Sequence, residues 1–145
     1  TANLGYSHEF GVKLSYIPPP EPLHGSIDRD AMRQVVTNLL SNAIKFSGKG
    51  KVVELIVTQH QDFARLTVKD YGLGIANEAQ SAVFTRFFQA HSDHESKSAS
   101  TGLGLSISKA ITEKHGGKIS FDSKVGVGTS FHVDLPLQEA LRAAS

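Results

Sequence analysis

The chain has 145 residues, the usual length of one domain, of which 39% are apolar and 20% are charged. Its 15 basic and 14 acidic side chains nearly cancel, so no field of a single sign points to nucleic acid or a membrane surface as the main partner. The absence of cysteine excludes disulfides and thiolate metal sites, and no apolar run approaches the roughly 20 residues that cross a bilayer.

The apolar pattern predicts eight secondary-structure elements. A short strand at 12–17 precedes the breaker PPPEP, and an amphipathic helix follows at 28–46, with Asp28 or Asp30 as its N-cap. The other predicted elements are strands at 51–58 and 63–70, a short helix at 77–84, a helix at 103–115 and strands at 118–123 and 129–136. The apolar stripe of the long helix consists of Met32, Val35, Val36, Leu39, Leu40, Ala43 and Ile44.

Alternation within the strands predicts a sheet with one covered and one wet face. The strand at 63–70 divides into a covered set, Ala64, Leu66 and Val68, and a wet set, Arg65, Thr67 and Lys69. With this order of elements, the pattern favours helices on one face of a mixed sheet, a two-layer α/β sandwich. Residues 89–101 contain no large aliphatic side chain, so they are predicted to form a mobile loop.

One polar line of the long helix is unusual for a face that meets only water. Asn38, Asn42 and Lys45 are spaced four and three residues apart, and Gln34 lies one turn earlier. Asparagine is a poor helix former, so two of them on one stripe cost helix stability. The line is either a solvated face or a set of oxygen ligands for a hard cation such as Mg²⁺, with an amine beside it for phosphate.

Glycine clusters mark three further candidate sites. Asp70 ends a strand on its covered side, and it either forms an Asx turn or accepts from an exocyclic amine such as that of adenine, with Gly72 and Gly74 allowing close backbone approach. Gly102 and Gly104 stand where a loop enters a helix, and such an end binds anions. The run GVGTSF at 126–131 fits a tight turn into a strand, with Thr129 offering a hydroxyl. The run VFTRFFQA at 83–90 fits an aromatic hinge packed on the core through Phe84 and Phe87.

Taken together, these stretches resemble the ATP-binding domain of bacterial sensor histidine kinases over residues 12–136. RQVVTNLLSNAIKFSGKG is similar to that family's N box, VKDYGLGI to its first glycine box, VFTRFFQA to its phenylalanine box, STGLGLSISKAITEKHGG to its second glycine box and GVGTSF to its third. The resemblance implies the Bergerat fold shared with DNA gyrase and ATP-driven chaperones. It also implies one domain over residues 1–145 whose mobile ATP lid is the loop at 89–101.

The resemblance implies roles for individual residues. Asn42 would coordinate Mg²⁺ with Asn38 in support, Lys45 would meet phosphate, and these three would form the catalytic set. Asp70 would accept from the adenine amino group. The implied ATP-binding set is Asn38, Asn42, Lys45, Phe46, Asp70, Gly72, Gly74, Ile75, Phe88, Thr101, Gly102, Leu103, Gly104, Leu105 and Thr129.

Four positions separate the chain from some relatives. Ser100 stands at a glycine position of the second glycine box, Gln89 stands where many relatives have a phosphate-binding arginine, and Phe46 replaces a tyrosine. Asn38 stands where ATP-hydrolysing relatives carry a glutamate as general base. Because an amide takes no proton from water at neutral pH, we expect poor hydrolysis and transfer of the phosphoryl group to an acceptor with its own base.

The family's acceptor histidine lies on a helical hairpin before this domain. His8–Glu9 is rejected for that role because Gly11, a strand and PPPEP follow it, which leaves no room for two long helices. The chain is therefore expected to bind ATP without phosphorylating itself, as a cytoplasmic piece of a larger homodimer that serves a response regulator indirectly. It is expected to contact neither nucleic acid nor membrane.

Other interpretations remain at the level of sequence. His91, Asp93, His94 and Glu95 resemble a metal cluster, but in a mobile polar loop such residues are more often simply solvated. The whole domain is either the kinase enzyme, a non-catalytic nucleotide-sensing or interaction module, or a clamp-type ATPase of the gyrase class. The retained glycines and asparagines favour the first over the second, and the amide at Asn38 argues against the third.

Overall fold

A computed structural model of the chain describes residues 13–20, 23, 27–47, 52–84 and 104–137. Its elements are β1 (Lys13–Ile17), α1 (Arg29–Ser47), β2 (Val52–His60), β3 (Phe63–Asp70), α2 (Asn77–Gln80), α3 (Gly104–Lys114), β4 (Lys118–Lys124) and β5 (Gly128–Pro136). The order agrees with the sequence-based prediction. The predicted lid at 89–101 and the acidic and histidine residues within it lie outside the described residues.

Five strands form one mixed sheet in the order β1-β2-β3-β5-β4. β1 pairs with β2 in parallel, and the other three pairings are antiparallel. Helices α1 and α3 pack against each other and on the sheet. The mixed sheet with its helices confirms the predicted α/β class.

Helix α1 covers the sheet through the predicted apolar stripe. Six of its seven stripe residues are buried and Val36 packs at the margin of the same core. The sheet contributes Val53, Val68, Phe131 and Val133 to this cluster. The helix begins at the first of the two candidate caps, because Asp28 Oδ1 accepts from the backbone N–H groups of Asp30 and Ala31 at 3.0 and 3.2 Å.

The outer face of the sheet is less exposed to solvent than the alternation predicted. Arg65 donates twice to Asp134 across the β3–β5 pair, at 2.7 and 2.9 Å, and the Thr67 hydroxyl lies 2.9 Å from His132 Nδ1. Thr67 is only 9% exposed and Asp134 only 7%. Directly opposed polar side chains cover one another, which periodicity along a single strand does not reveal.

The short helix also ends earlier than predicted. α2 spans Asn77–Gln80, and residues 81–84 form turns instead of the helix predicted up to 84. These turns bring Phe84 against Phe121 and Phe131, with ring centroids 5.7 and 6.1 Å apart. The predicted packing of Phe84 on the core is confirmed, whereas Phe87 lies outside the described residues. Of the helices described, none is long and apolar enough to cross a membrane.

Candidate nucleotide-binding site

Three polar residues form a row across the covered face of the sheet. Asp70 ends β3, Thr129 lies opposite it near the start of β5, and Ser123 lies opposite Thr129 on β4. Side chains of directly opposed residues in an antiparallel pair leave the sheet on the same side. Their neighbours two positions away, Val68 and Phe131, are in the hydrophobic core, so the row lies on the side that the helices cover.

Asp70 is a buried carboxylate whose two oxygens have different surroundings. Asp70 is only 7% exposed to solvent. Oδ1 accepts from the backbone N–H groups of Gly72 and Thr129, at 2.9 and 3.2 Å. Oδ2 has no hydrogen-bond partner among the described residues and is not fully enclosed, which leaves this oxygen accessible to a donor on a ligand. The Asx-type bond to Gly72 and a ligand role are therefore compatible.

Burial raises the pKa of Asp70 above its ordinary value, since the charged form loses hydration. The N–H groups of Gly72 and Thr129 oppose that shift because they stabilise the carboxylate. The net direction is upward, so ionised Asp70 carries a cost in the free protein. A ligand that donates a hydrogen bond to Oδ2 would offset part of this cost.

The loop after β3 is held against the β4–β5 turn by close backbone contacts. Gly74 has φ +77°, and a Cβ there would stand 2.4 Å from the carbonyl oxygen of Lys124. The backbone N–H of Gly126 donates to the carbonyl of Leu73 at 2.9 Å. Only glycine satisfies both the positive φ and the approach at position 74. The sequence-based expectation was that Gly74 lets the backbone approach a flat ring, whereas the close approach in the structure is to the protein's own Lys124 carbonyl. The ligand role of Gly74 stays a prediction.

Ser123 and Gln80 fix the end of this loop, and sequence reasoning missed both. The backbone N–H of Ile75, a core residue, donates to Ser123 Oγ at 2.7 Å, and Gln80 Nε2 donates to the carbonyl of Ile75 at 3.0 Å. Ser123 Oγ also lies 2.8 Å from Thr129 Oγ1. A serine on the apolar side of β4, in line with Ile119 and Phe121, was the available signal.

Helices α1 and α3 meet through polar groups at the start of α3. Asn38 Nδ2 donates to the carbonyl of Gly104 at 3.3 Å and lies 3.5 Å from Ser108 Oγ, which itself donates to Gly104 at 2.8 Å. The amide nitrogen of Asn38 is therefore used to hold α3, while its oxygen has no partner within the described ranges. Ser108, fully buried, is a third residue that sequence reasoning missed.

Asn42 follows Asn38 by one turn on α1 and is half-buried. No hydrogen bond engages its side chain among the described residues. Amide oxygens are suitable ligands for Mg²⁺, which shares its shell with water and phosphate oxygens. The side-chain oxygens of the amides along this turn of α1 are thus suitable ligands for Mg²⁺, the cation that the family resemblance implied.

The structure positions part of the predicted binding set. Asp70 and Thr129 are hydrogen-bonded neighbours, and Asn38 is brought to Gly104. Leu105 is buried in the hydrophobic core. Lys45 and Phe46 belong to α1, but their side chains are outside the described part of the molecule. Phe88, Thr101, Gly102 and Leu103 also fall outside the described residues.

A mixed sheet covered by helices, with a buried carboxylate at a strand end and amides at a helix–helix seam, defines a nucleotide-binding domain of the ATPase and kinase class. The family described as "Histidine kinase-, DNA gyrase B-, and HSP90-like ATPase" matches residues 27–139. The chain belongs to this family. Membership supports ATP as the ligand of this domain.

Within the family, the chain is similar to curated sensor kinases. RppB of Synechocystis sp. is 39% identical over 104 residues, which is 72% of this chain and 23% of RppB. WalK of Staphylococcus saprophyticus is 41% identical over 122 residues, 83% of this chain and 20% of WalK. WalK of Bacillus subtilis is 37% identical over 123 residues, with the same coverage of 83% and 20%. The chain thus spans 20–23% of the length of these curated relatives.

The comparison with solved structures also finds histidine kinases. The chain superposes on the mycobacterial sensor histidine kinase MprB with a TM-score of 0.77 and 29% identity, covering 94% of this chain and 91% of MprB. The nucleotide-free catalytic domain of the histidine kinase ThkA gives a TM-score of 0.76 and 26% identity, covering 93% of this chain and 84% of that domain. The resemblance identified from sequence is confirmed, and it supports a role in two-component signalling.

Proposed function

We propose that this domain binds Mg·ATP and supplies the γ-phosphoryl group for a histidine on a separate phosphoacceptor and dimerisation domain. The observation that carries the proposal is Asp70, a buried carboxylate with one oxygen held by two backbone N–H groups and the other unpartnered among the described residues. Burial makes ionisation of this carboxylate costly, and a donor group that binds at the accessible oxygen would offset part of that cost. The amino group of adenine is a donor of that kind.

The base would lie against the loop that follows β3. Asp70 accepts from the adenine amino group, and Thr129, whose N–H holds the same carboxylate, lies beside it. Gly72 and Gly74 form the backbone of this loop, and Ile75 closes it from the core side. The packing of Gly74 on Lys124 restrains the loop, so little conformational entropy is lost when the base binds.

The phosphates and their cation would lie toward α1 and α3. Asn42 and the side-chain oxygen of Asn38 would hold Mg²⁺, and Lys45 would meet a phosphate. When bound, the cation neutralises charge on the transferred phosphoryl group. α3 begins at Gly104, and the dipole of a helix favours an anion near its N-terminal end. The full-length kinase ShkA, 26% identical with a TM-score of 0.77, was solved in complex with AMPPNP, which supports a nucleotide here.

Transfer to an acceptor is favoured over hydrolysis by the chemistry of Asn38. Its amide nitrogen donates to Gly104, and an amide has no basicity with which to activate water. The domain therefore positions the phosphate and stabilises charge, and the base comes from the acceptor imidazole. This supports a kinase over a clamp-type ATPase of the gyrase class.

The remaining partners are proposed because the relatives are sensor kinases. We propose that a phosphoacceptor domain of the same polypeptide receives the phosphate, that the parent protein is a homodimer, and that a response regulator takes the phosphate afterwards. The site is proposed to work in the cytoplasm, where ATP is supplied, without nucleic acid and without membrane contact by this domain.

Titration calorimetry tests the proposal directly. The chain is titrated with AMPPNP with and without Mg²⁺, and steady-state phosphate release from ATP is followed separately. We expect saturable binding that Mg²⁺ strengthens, and phosphate release no faster than in a buffer control. Rapid phosphate release would favour the clamp-type ATPase, and absence of binding would favour a non-catalytic module.

A further inference from the structure

Asn38 lies between the cation site proposed on α1 and the start of α3. Its Nδ2 lies 3.3 Å from the carbonyl oxygen of Gly104 and 3.5 Å from Ser108 Oγ. Its Oδ1 has no partner within the described ranges, and Asn42 follows one turn later on α1. We propose that Asn38 is a positioning residue that couples the cation site to α3, because the two ends of its amide serve one each. This inference rests on the proposed function, since it requires Mg²⁺ beside Asn42.

The Gly104 carbonyl determines which end of the Asn38 amide is turned away from α3. A carbonyl oxygen only accepts, so the group of Asn38 that faces it is the NH₂ and not the oxygen. Ser108 Oγ donates its proton to the same carbonyl at 2.8 Å, so that its lone pairs also face the NH₂ of Asn38. Because the NH₂ is held in this way, Oδ1 is the end of the amide that is left for a cation.

The two ends of an amide influence each other through their conjugation. A cation at Oδ1 of Asn38 draws electron density from the nitrogen, which makes the NH₂ a stronger donor to Gly104. By linkage, the bond to Gly104 then favours the cation to the same extent. The other end of α3 is held separately, because the backbone N–H of Asp28 donates to His115 Nε2 at 3.0 Å. The coupling through Asn38 is therefore confined to the first turn of α3.

A carboxylate at position 38 would satisfy the cation but not α3. Neither oxygen of an ionised carboxylate donates, so one of them would take the place of Nδ2, which now lies 3.3 Å from the carbonyl oxygen of Gly104. Two acceptors in contact at a half-buried position would repel each other. The contact with Gly104 thus requires an amide, whereas cation ligation alone does not, because carboxylates are common ligands of Mg²⁺.

The test compares two carboxylate variants of α1. Asn38→Asp removes the donor to Gly104 but keeps an oxygen for the cation. Gln34→Glu is the matched control, because it adds the same charge one turn earlier on the same polar line, at an exposed residue. Thermal melting verifies the folding of each variant.

Two NMR signals report on the contact in isotope-labelled chains. The first is hydrogen exchange of the backbone N–H of Ser108, which in a helix that begins at Gly104 donates to the Gly104 carbonyl. The second is the chemical shift of the side-chain NH₂ of Asn38. Each chain is measured without ligand, with AMPPNP, and with AMPPNP and Mg²⁺, at saturating concentrations that calorimetry establishes.

In the wild type, Mg²⁺ should slow exchange of the Ser108 N–H by about two- to fivefold and move a proton of the Asn38 NH₂ downfield, as a strengthened hydrogen bond does. Without ligand, Asn38→Asp should exchange this N–H about fivefold faster than the wild type, the size of one net hydrogen bond, and Mg²⁺ should not slow it. Gln34→Glu should behave as the wild type does. The backbone N–H of His115, which donates to Ile111 at 3.2 Å, should not respond to Mg²⁺ in any chain.

Two outcomes would overturn the inference while leaving the proposed function intact. If Mg²⁺ slows exchange of the Ser108 N–H equally in the wild type and in Asn38→Asp, the amide of Asn38 does not carry the coupling. If Mg²⁺ strengthens AMPPNP binding to the wild type but leaves the Asn38 NH₂ signal unchanged, the cation does not act through this amide. The second outcome is read in the wild type, so the test does not depend on the folding of Asn38→Asp. Failure of the wild type to bind AMPPNP would instead refute the proposed function itself.

Discussion

Gly128 lies against the carbonyl group of Asp70, so close that a Cβ at position 128 would stand 2.1 Å from that oxygen. The φ of Gly128 is +142°, a conformation that L side chains rarely adopt. The contact is at the point where β5 begins beside the end of β3, one residue before Thr129. The strand pairing that presents Asp70 to a ligand therefore requires glycine at this position.

Gly128→Ala should lower the free energy of unfolding by about 3 kcal/mol or more, because backbone strain and a clash with backbone act together. Gly126→Ala is the matched control. Its φ is also positive, at +81°, but a Cβ there meets nothing within 4 Å. That variant should cost about 1–2 kcal/mol from strain alone. Urea denaturation measures the free energy of unfolding of both variants. Equal losses would show that the close approach of residue 128 to Asp70 does not exclude a side chain.

Asp70→Asn should separate stability from binding. The amide oxygen keeps the bonds from Gly72 and Thr129, but the amide nitrogen then faces the amino group of adenine, so ATP affinity should fall about 10- to 100-fold. Asp122→Asn, on an exposed carboxylate of the outer face, should leave affinity unchanged. Calorimetry gives the affinities. A variant that binds ATP as the wild type does would remove Asp70 from the base site.

The same substitution predicts a change of stability with a definite sign. Because burial raises the pKa of Asp70, the native state holds the proton to higher pH than the unfolded chain, whose carboxyl titrates near 3.8. Stability from this group is full below that value and is lost as pH rises through the raised native pKa. At neutral pH, Asp70→Asn without ligand should therefore unfold at the same temperature as the wild type or higher, as measured by calorimetric melting. A clearly lower temperature would contradict this.

ATP affinity should fall on acidification through the raised pKa of Asp70. The ionised carboxylate accepts from the amino group of adenine, whereas protonation at Oδ2 replaces this charged acceptor with a hydroxyl that is a weaker acceptor and also a donor. Calorimetry from pH 8 to pH 5 measures the dependence. Because the phosphates also titrate, purine riboside triphosphate, which lacks the amino group, serves as the control nucleotide. The ratio of the two affinities should decrease toward low pH, and a constant ratio would contradict the assignment.

Thr112→Val should stabilise the domain by about 1 kcal/mol, because a buried hydroxyl without a partner carries a desolvation cost. Thr112 is fully buried, and its Oγ1 is the one enclosed side-chain polar atom without a partner in the described part of the chain. Thr67→Val is the matched control, since the Thr67 hydroxyl pairs with His132, and it should destabilise. Urea denaturation distinguishes the two. If Thr112→Val destabilises the domain as Thr67→Val does, the Thr112 hydroxyl has a hydrogen-bond partner.

The order and type of the elements were predictable because hydrophobic periodicity is local. The strand predicted at 63–70 matches Phe63–Asp70, and the helix predicted at 28–46 matches Arg29–Ser47 within one residue at each end. The helix predicted at 77–84 was too long, since the chain turns at residues 81–84 to pack Phe84 on two other aromatic rings. A contact with distant strands decided that boundary, and no local pattern contains it.

The candidate site was predictable only where a single residue was out of place in its own element. A carboxylate on the covered side of a strand marked Asp70, and poor helix formers marked Asn38 and Asn42. Ser123 carries only the weaker mark of a serine in line with Ile119 and Phe121 on the apolar side of β4, and Ser108 carries none, because serine is common on helices. Their importance comes from what stands opposite them.

The amino-acid sequence by itself determined the α/β class, the covered face of the sheet and the glycine-bordered carboxylate, since each follows from spacing within about ten residues. Only the tertiary structure decided how Asp70 is held and which groups Ser123 contacts. The reason is register: Thr129 reaches Asp70 across 59 residues, and Ile75 reaches Ser123 across 48. A shift of one residue in either pairing would turn these side chains to the opposite face.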